Sequence, residues 1–471
     1  MYLKLFVPLF VIYGILSMAA PVRGGPAQWQ APDLAALSGP VMTLTLGQAI
    51  GQALEANRAL IRSEYARAGS RFSIDAATAE FEYRFLPVAD AGVTDSRKQV
   101  GAGLAVEKKF SYGALASVTP RIGRSEDEYS SSLGVSMATP LLRGFGREVT
   151  TDALQGTRFA YRSADRSLYR TRVNTVLETV SAVYDITLKK ALVALYEDQT
   201  QRFREHVLSA KIKENVGLAE SLDIYRAQIR LKDAENNLTR AAAALKQSED
   251  RLKLILAVPV SRPVAVTAPV VFNPVKIELS EAVRIAEENR VELEQARDDV
   301  DEAKRRSRIA KNSLLPQLDL KFDYERFGSD TGFNNSIRFD DERWQLNLLS
   351  GMDLRRSVEK ARYQQALLSI RAARLTLAGL SDEIIREVRT RFDNLTESGK
   401  RIAIREEQIR QAKGSLLLAQ AKFNHGMTNN FDVIEAETEY QRAKTSLLEA
   451  KRDYIVGTYQ MRAAIGTLVQ K

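Results

Sequence analysis

Two short stretches carry the side chains best spaced for chemistry. HGMTNNFDVIEAE (425–437) sets Asp432 three residues before Glu435, and VGLAESLDIYRAQ (216–228) sets Asp223 three residues before Arg226. Side chains three apart share a helical face. The later stretch therefore presents two carboxylates together, whereas in the earlier one a guanidinium accompanies the carboxylate. The two are copies of one skeleton: Gly217 answers Gly426, Leu222 answers Phe431, Asp223 answers Asp432, Ile224 answers Val433 and Ala227 answers Ala436. Both glycines suit the left-handed position after a helix C-terminus. Ser221 and Asn430, each four residues on, suit N-caps of returning helices. Asp223 and Asp432 then fall in the first turn, which the helix dipole favours whatever else they do.

Little else in the chain could catalyse. There is no cysteine, which excludes disulfides, thiolate zinc sites, a thiol nucleophile and a lipid-bearing N-terminal cysteine. The two histidines, His206 and His425, lie in different segments, too few for a His-rich metal site. Gly-x-Ser-x-Gly, His-Glu-x-x-His and P-loop patterns are absent from the sequence. Asp340 and Asp341 pair in a loop, where polar loop chemistry accounts for them. The expectation is a non-enzyme with no metal or cofactor. The formal charge of +9 invites a nucleic-acid reading. However, lysine and arginine alternate with acids, as in KIKENVGLAE and REEQIRQAK, which marks solvated helix faces and no nucleic-acid partner.

The elements that hold these turns are long helices. Charged residues make up 27% and aromatics 7%, a mixture that favours helices over a compact α/β enzyme. Residues ~151–214 and ~353–424 contain no proline, and Val173, Leu177, Val180, Tyr184, Leu188, Ala191 and Leu195 mark one apolar stripe. A helix of about 62 residues would span about 93 Å. Shorter helices at ~46–80 and ~221–257 could stack end to end beside the first. Those at ~279–313 and ~430–469 could do the same beside the second. The openings repeat as well: LTLGQAIGQALEANRAL (44–60) matches IELSEAVRIAEENRVEL (277–293), with Asn57 and Asn289 aligned across a one-residue gap. The chain is thus an internal duplication, 44–257 and 277–471, joined by an irregular Pro-containing linker at 258–276. The turns fall at 215–223 and 424–432.

Between the helices of each copy the period changes to two. In QLDLKFDYER (317–326), Leu318, Leu320, Phe322 and Tyr324 alternate with polar residues. A turn-rich FGSDTGFNNS (327–336) and RWQLNLL (343–349) complete a hairpin over about 317–350. The first copy has a longer β-region, about 83–142, whose extra residues make either another hairpin or longer strands. Aromatics near strand ends (Tyr112, Tyr129, Phe327, Trp344) suit the girdles of membrane strands. Four to six strands cannot close a barrel, and open edges do not survive in lipid, so several chains must share one. Residues 1–24, with Lys4, an apolar run and a small-residue exit, read as a signal peptide. A membrane anchor is the other reading of that segment.

This ordered set resembles the TolC-like outer-membrane efflux protein family over ~44–470. The resemblance is carried by the paired openings, the strand exits TPLLRGFG (139–146) and LLSGMDLRRS (348–357), and the paired turns. Departures are Arg58, where the family often has proline, and the long first β-region. The resemblance implies a mainly α fold, in which long-helix hairpins form a trimeric α-helical barrel and β-hairpins contribute to a shared transmembrane β-barrel. It implies an outer-membrane homotrimer in contact with outer-membrane lipid and reaching into the periplasm. Such a trimer docks a periplasmic adaptor and an inner-membrane pump, and serves efflux or type I secretion. It places the turns at the periplasmic tip, with Gly217, Ser221, Asp223, Arg226, Gly426 and Asn430 at the docking end. Three copies of Asp432 and Glu435 would then form a cation-attracting constriction, and Arg226 would bridge to an acidic neighbour. The alternative is a periplasmic coiled-coil spacer with no channel.

Overall fold

The computed structural model describes residues 41–94, 97–215, 221–271 and 277–470. The expected signal peptide and Gly217 lie outside them. The chain opens with β1 (Met42–Thr45) and a helix pair, α1 (Leu46–Ala56) and α2 (Arg58–Ala79). Four strands follow: β2 (Tyr83–Thr94), β3 (Arg97–Lys109), β4 (Leu115–Ser125) and β5 (Glu128–Pro140). A single turn α3 (Arg147–Thr150) leads into α4 (Asp152–Asn215), of 64 residues, and α5 (Ser221–Ile255) returns beside it. After β6 (Val264–Thr267), the plan repeats as α6 (Leu279–Asn289), α7 (Val291–Asn312) and β7 (Gln317–Asp330). It closes with the short α8 (Phe333–Ser336), β8 (Asp341–Gly351), α9 (Ser357–Asn424), of 68 residues, and α10 (Asn430–Ala464).

Each long helix runs the length of the helical region, with shorter helices packed along it. The stack must break once per copy, and the breaks show how sequence sets them. At Asn57 (φ −62°, ψ 123°) the amide closes α1 on the Ala53 carbonyl. The side-chain oxygen then accepts from Ala59 N at 2.9 Å and Leu60 N at 3.3 Å to open α2. Its Nδ2 donates to the Ile255 carbonyl at 2.9 Å, tying the break to the end of α5. In the second copy the break falls at Arg290, not at Asn289, so the openings align without a gap. Arginine has no acceptor and cannot cap. Arg290 keeps the other half of the job, donating through Nη1 to the Ala464 carbonyl at the end of α10 (3.1 Å).

Two main core clusters centre on the two copies, and Ile455 and Val456 of α10 reach into the first. One cluster gathers Ala49, Val176, Val180, Val183, Leu252 and Leu256 from α1, α4 and the end of α5. The other gathers Ala282, Ile384, Val388, Tyr454 and Met461 from α6, α9 and α10. Burying each of these larger side chains contributes about 1.5–3 kcal/mol. The linker is less irregular than its prolines suggest. Within it β6 pairs in parallel with β1, Met42 opposite Val264 and Thr45 opposite Thr267, and Val264 and Val266 enter the first core.

The remaining strands form one antiparallel sheet in the order β2-β3-β4-β5-β7-β8. The long first β-region is therefore two hairpins against one in the second copy. Strand β7 runs on to Asp330, through half of the expected turn, because its end pairs with β5 (Tyr129 opposite Asp330). The rest of that turn is α8.

Candidate functional site

Two places have a geometry suited to conduction: the sheet and the helical tip. Register across the sheet assigns every strand residue to a face. One unbroken row of cross-strand partners reads Phe85, Val106, Val118, Val135, Tyr324 and Trp344. The row one residue over, on the other face, reads Arg84, Glu107, Ser117, Ser136, Asp323 and Gln345. The polar face is laced by Arg84–Glu107 (3.6 Å), Arg121–Asp90, Lys321–Asp323 (3.1 Å) and Arg343–Glu325 (2.6 Å). Strands of 11–14 residues reach across a bilayer's hydrocarbon, and an apolar face backed by a hydrated one is what a barrel wall requires. The girdle expectation needs amending at two residues. Trp344 lies in the middle of the apolar face opposite Tyr324, and Phe327 belongs to the polar face, beneath the Arg343 guanidinium at 5.6 Å.

The tip of the second copy is built by its turn. Gly426 has φ +72°, where any side chain would be strained. Around it, Met427 N donates to Lys422 O at 2.8 Å and Gly426 N to Phe423 O at 3.1 Å, closing α9 with a Schellman pair. The cap of α10 is Asn429, whose side chain accepts from Asp432 N at 3.2 Å. Asn430, the expected cap, is instead the first helical residue. It is 4% exposed, and neither its side-chain oxygen nor its nitrogen has a partner among the described residues. Ser221 likewise begins α5 as a helical residue and does not cap it; its hydroxyl donates to Glu214 at 2.6 Å.

Asp432 accepts from the Thr428 hydroxyl and is exposed. With Glu435 it lines a shallow groove between α9 and α10 that also takes in Lys422 and Glu439. Glu439 extends the acidic face by one more turn and was legible as i, i+3, i+7, though it pairs with Arg442 at 2.8 Å. In the first copy Asp223 and Arg226 approach to 3.9 Å on one helix. The Arg226 guanidinium also lies 5.8 Å from the Phe431 ring, so it touches the second copy's tip.

Sequence reasoning missed the strongest link between the two tips. Glu437, wholly buried, accepts from Arg202 Nη1 of α4 at 3.1 and 3.4 Å and from Gln441 Nε2 at 3.3 Å. Arg202 also holds Asp198 at 2.7 Å. Burial alone would lower the guanidinium's pKa, but the Glu437 and Asp198 carboxylates outweigh it and raise the value. One turn on, burial holds the His206 imidazole below its usual value, aided by Arg202 and opposed by Glu205. Sequence separation hid the Arg202–Glu437 pair. Its one visible sign was a charged residue at 437 where the first copy has Gln228.

The model of a family described as "Outer membrane efflux protein" matches residues 49–258 and 282–467. The outer membrane protein TolC of Vibrio cholerae is 25% identical over 321 residues, covering 66% of this chain and 72% of that protein. TolC of Escherichia coli is 26% identical over 306 residues, covering 60% and 57% respectively. Among solved structures, the outer membrane protein VceC of Vibrio cholerae superposes with a TM-score of 0.70 at 14% identity, over 89% of this chain and 96% of that one.

Proposed function

The chain belongs to the outer membrane efflux protein family, and from that premise we propose that three copies close into one continuous duct. The protein is an outer-membrane channel, the exit duct of an efflux system, and its helices extend into the periplasm. The closure is carried by one observation: the same two flanks of the chain are open at every level. At the sheet the free edges are β2 and β8, and all eleven residues of β8 are exposed. In the upper helical layer the order is α2, α4, α7, α9, and in the lower layer α5, α4, α10, α9. One flank is therefore β2, α2 and α5, and the other is β8 and α9.

Both flanks carry unburied apolar side chains. Tyr65 and Phe72 stand seven apart on α2 and Tyr225 and Ile229 stand on α5; Leu368 and Leu375 stand seven apart on α9. Seven-residue spacing is the seam of paired helices. Strand β2 leaves the helices and β8 returns to them, so the edges of neighbouring copies meet antiparallel. An unpaired edge in lipid would leave a row of backbone groups unsatisfied. Three copies of a six-stranded sheet make an eighteen-stranded ring, a size that leaves an aqueous channel. The polar face lines it and the apolar face meets lipid. A spacer would have no use for such a sheet.

At the far end the reversals at 215–223 and 424–432 form the periplasmic mouth. Asp432 and Glu435 of three copies attract cations there, and the turns offer the docking surface for a periplasmic adaptor. The adaptor connects the duct to an inner-membrane pump, of the efflux or type I secretion kind, which supplies the energy. The test is to purify the full chain from an outer-membrane fraction, measure its mass in detergent, and record it in a planar bilayer. A trimer with stepwise, cation-favouring conductance is expected. A monomer, or a silent bilayer, would overturn the reading.

A further inference from the structure

The barrel wall has an unexplained feature at the end farthest from the helices. The connection between β7 and β8 does not stand up as a free loop but folds back over the apolar face. Ser336 of α8 is completely buried, and its hydroxyl lies 3.2 Å from that of Ser131. Ser131 shares a face with Leu133, Val135 and Met137, the lipid side. Gly328, on the same side of β7, leaves room for this: a Cβ there would come within 2.5 Å of the Ser336 carbonyl oxygen. Phe333 packs edge-on against Tyr129, with ring centroids 5.8 Å apart. The result is an outward shelf at the bilayer rim, with Phe333 and Ile337 left exposed on it.

Three arginines belong to this shelf. Arg124 lies on the lipid side of β4, stacked on Tyr129 at 5.1 Å, and its Nε donates to the Glu126 carbonyl at 2.9 Å. Arg326 lies on the lipid side of β7 directly below α8, and its Nη2 donates to the Phe339 carbonyl at 2.8 Å. Arg338 is exposed just after α8, in the field of Asp330. None of the three forms an ion pair among the described residues, whereas two of the shelf's acids, Asp330 and Glu342, have other partners. Asp330 accepts from Gly332 N at 2.7 Å and from Asn335 at 3.3 Å, and Glu342 accepts from the Tyr324 hydroxyl at 3.0 Å. The helix end of the wall differs. There Lys108 is spent on the Phe81 carbonyl (2.7 Å) and the Tyr83 ring (4.5 Å), and Lys109 on Glu80 (2.5 Å).

We propose that this shelf binds the phosphate-bearing head groups of the surrounding outer leaflet, with Arg124, Arg326 and Arg338 as the anion contacts and Phe333 and Ile337 set among the upper acyl chains. The argument is charge complementarity at a fixed depth. A lipid-facing arginine costs about 2–4 kcal/mol at the bilayer midplane but about 0–1 near the interface. Three of them on one side of the rim therefore belong at head-group level. Guanidinium is the side chain whose forked donors match phosphate oxygens. Each arginine is also pre-positioned, by a ring, a backbone carbonyl or the short helix, so little freedom is lost on binding.

The inference rests on the sheet being a membrane wall, so one experiment reads both. The full chain in detergent is given lipid A, a glycolipid with two phosphates, or its enzymatically dephosphorylated form, and bound lipid is counted by native mass spectrometry. The same preparations are recorded in planar bilayers. Wild-type protein should retain lipid A and not the dephosphorylated form. The triple variant R124Q/R326Q/R338Q should lose about tenfold or more of that retention while keeping wild-type conductance. Equal retention by the variant, equal binding of the dephosphorylated lipid, or complete displacement by millimolar inorganic phosphate would each overturn the lipid site. Loss of conductance in the wild type would instead overturn the wall itself.

Discussion

The two copies agree along their helices and disagree at both ends. Both have a broken short helix pair, a long helix and a returning helix. Yet the first copy sends four strands into the sheet and the second sends two. At the other end, the second copy carries two acids where the first carries an acid and a base. The helical shaft is a shared scaffold whose cores tolerate little change. The wall and the mouth are where a duct's width and selectivity are set, and there the copies have diverged. The extra strands come as a pair for a geometric reason. An odd number would leave the chain on the wrong side of the membrane, with no way into α4.

Removing the difference at the wall should have the largest effect. Deleting residues 97–125 would join β2 to β5 by their outer ends and make the copies alike, with four strands per chain. Barrel diameter grows roughly linearly with strand number, so cross-section and single-channel conductance should fall to roughly half. Unchanged conductance in bilayer recordings would show that the constriction at the tip alone limits flow.

The tip gives the next test. Arg202 and Glu437 correspond to Gln411 and Gln228, and Asp198 corresponds to Glu407. The charged pair joins α4 of the first copy to α10 of the second within one chain, while the glutamines fall on α9 and α5, the helices that meet between neighbouring chains in the proposed ring. Arg202→Met strands a buried carboxylate and should cost about 3 kcal/mol of local docking. The readout is faster hydrogen exchange over 430–441, with a raised open probability. Gln411→Ala, which loses only a bond to Glu407 at 2.8 Å on its own helix, should change exchange by less than about 0.5 kcal/mol. Equal effects would mean that the seams within a chain and between chains hold the tip alike.

Selectivity should follow the same asymmetry. Asp432→Asn with Glu435→Gln is expected to lower the cation-to-anion permeability ratio several-fold, measured as a reversal-potential shift in a salt gradient. Asp223→Asn should move it far less, since Arg226 already offsets that charge. Equal shifts would place both aspartates in the lumen on the same footing.

The smallest expected effect is a pH dependence confined to the first copy. Burial holds the folded-state pKa of His206 below the ordinary histidine value of about 6.5. The unfolded chain therefore binds the proton more readily, and stability falls as pH drops through about 6.5. His206→Gln should flatten the thermal-stability profile between neutral and mildly acidic pH. The second copy has Ser415 at the corresponding position.

Much of this was legible before any coordinates. Periods of 3.6 and 2, and the spacing of the glycine turns, placed the long helices and the β7–β8 hairpin. What escaped depended on partners far away in sequence. Strand β6 is four residues whose ladder partner is β1, more than two hundred residues earlier. Arg290 took the place of a capping asparagine because the Ala464 carbonyl needed a donor, which no local pattern reveals. At the tip, Asn429 and Asn430 are chemically identical, and only the backbone decides that the first caps the helix and the second is buried.

That small parallel pair, β1 with β6, also bears on the order of events during export. It fastens the segment entering the first copy to the segment leaving it, and the Tyr184 hydroxyl adds a bond to the Pro269 carbonyl at 3.2 Å. The first copy can thus be clasped shut once residue 269 has crossed the inner membrane, before any of the second has emerged. Among the described residues the second copy has no such clasp: its C-terminal end is held by the first, through Tyr169 donating to the Val469 carbonyl at 3.0 Å. Domains fold as units, N-terminal first, so the leading half is expected to order first, with Ile455 and Val456 of the trailing half completing its core.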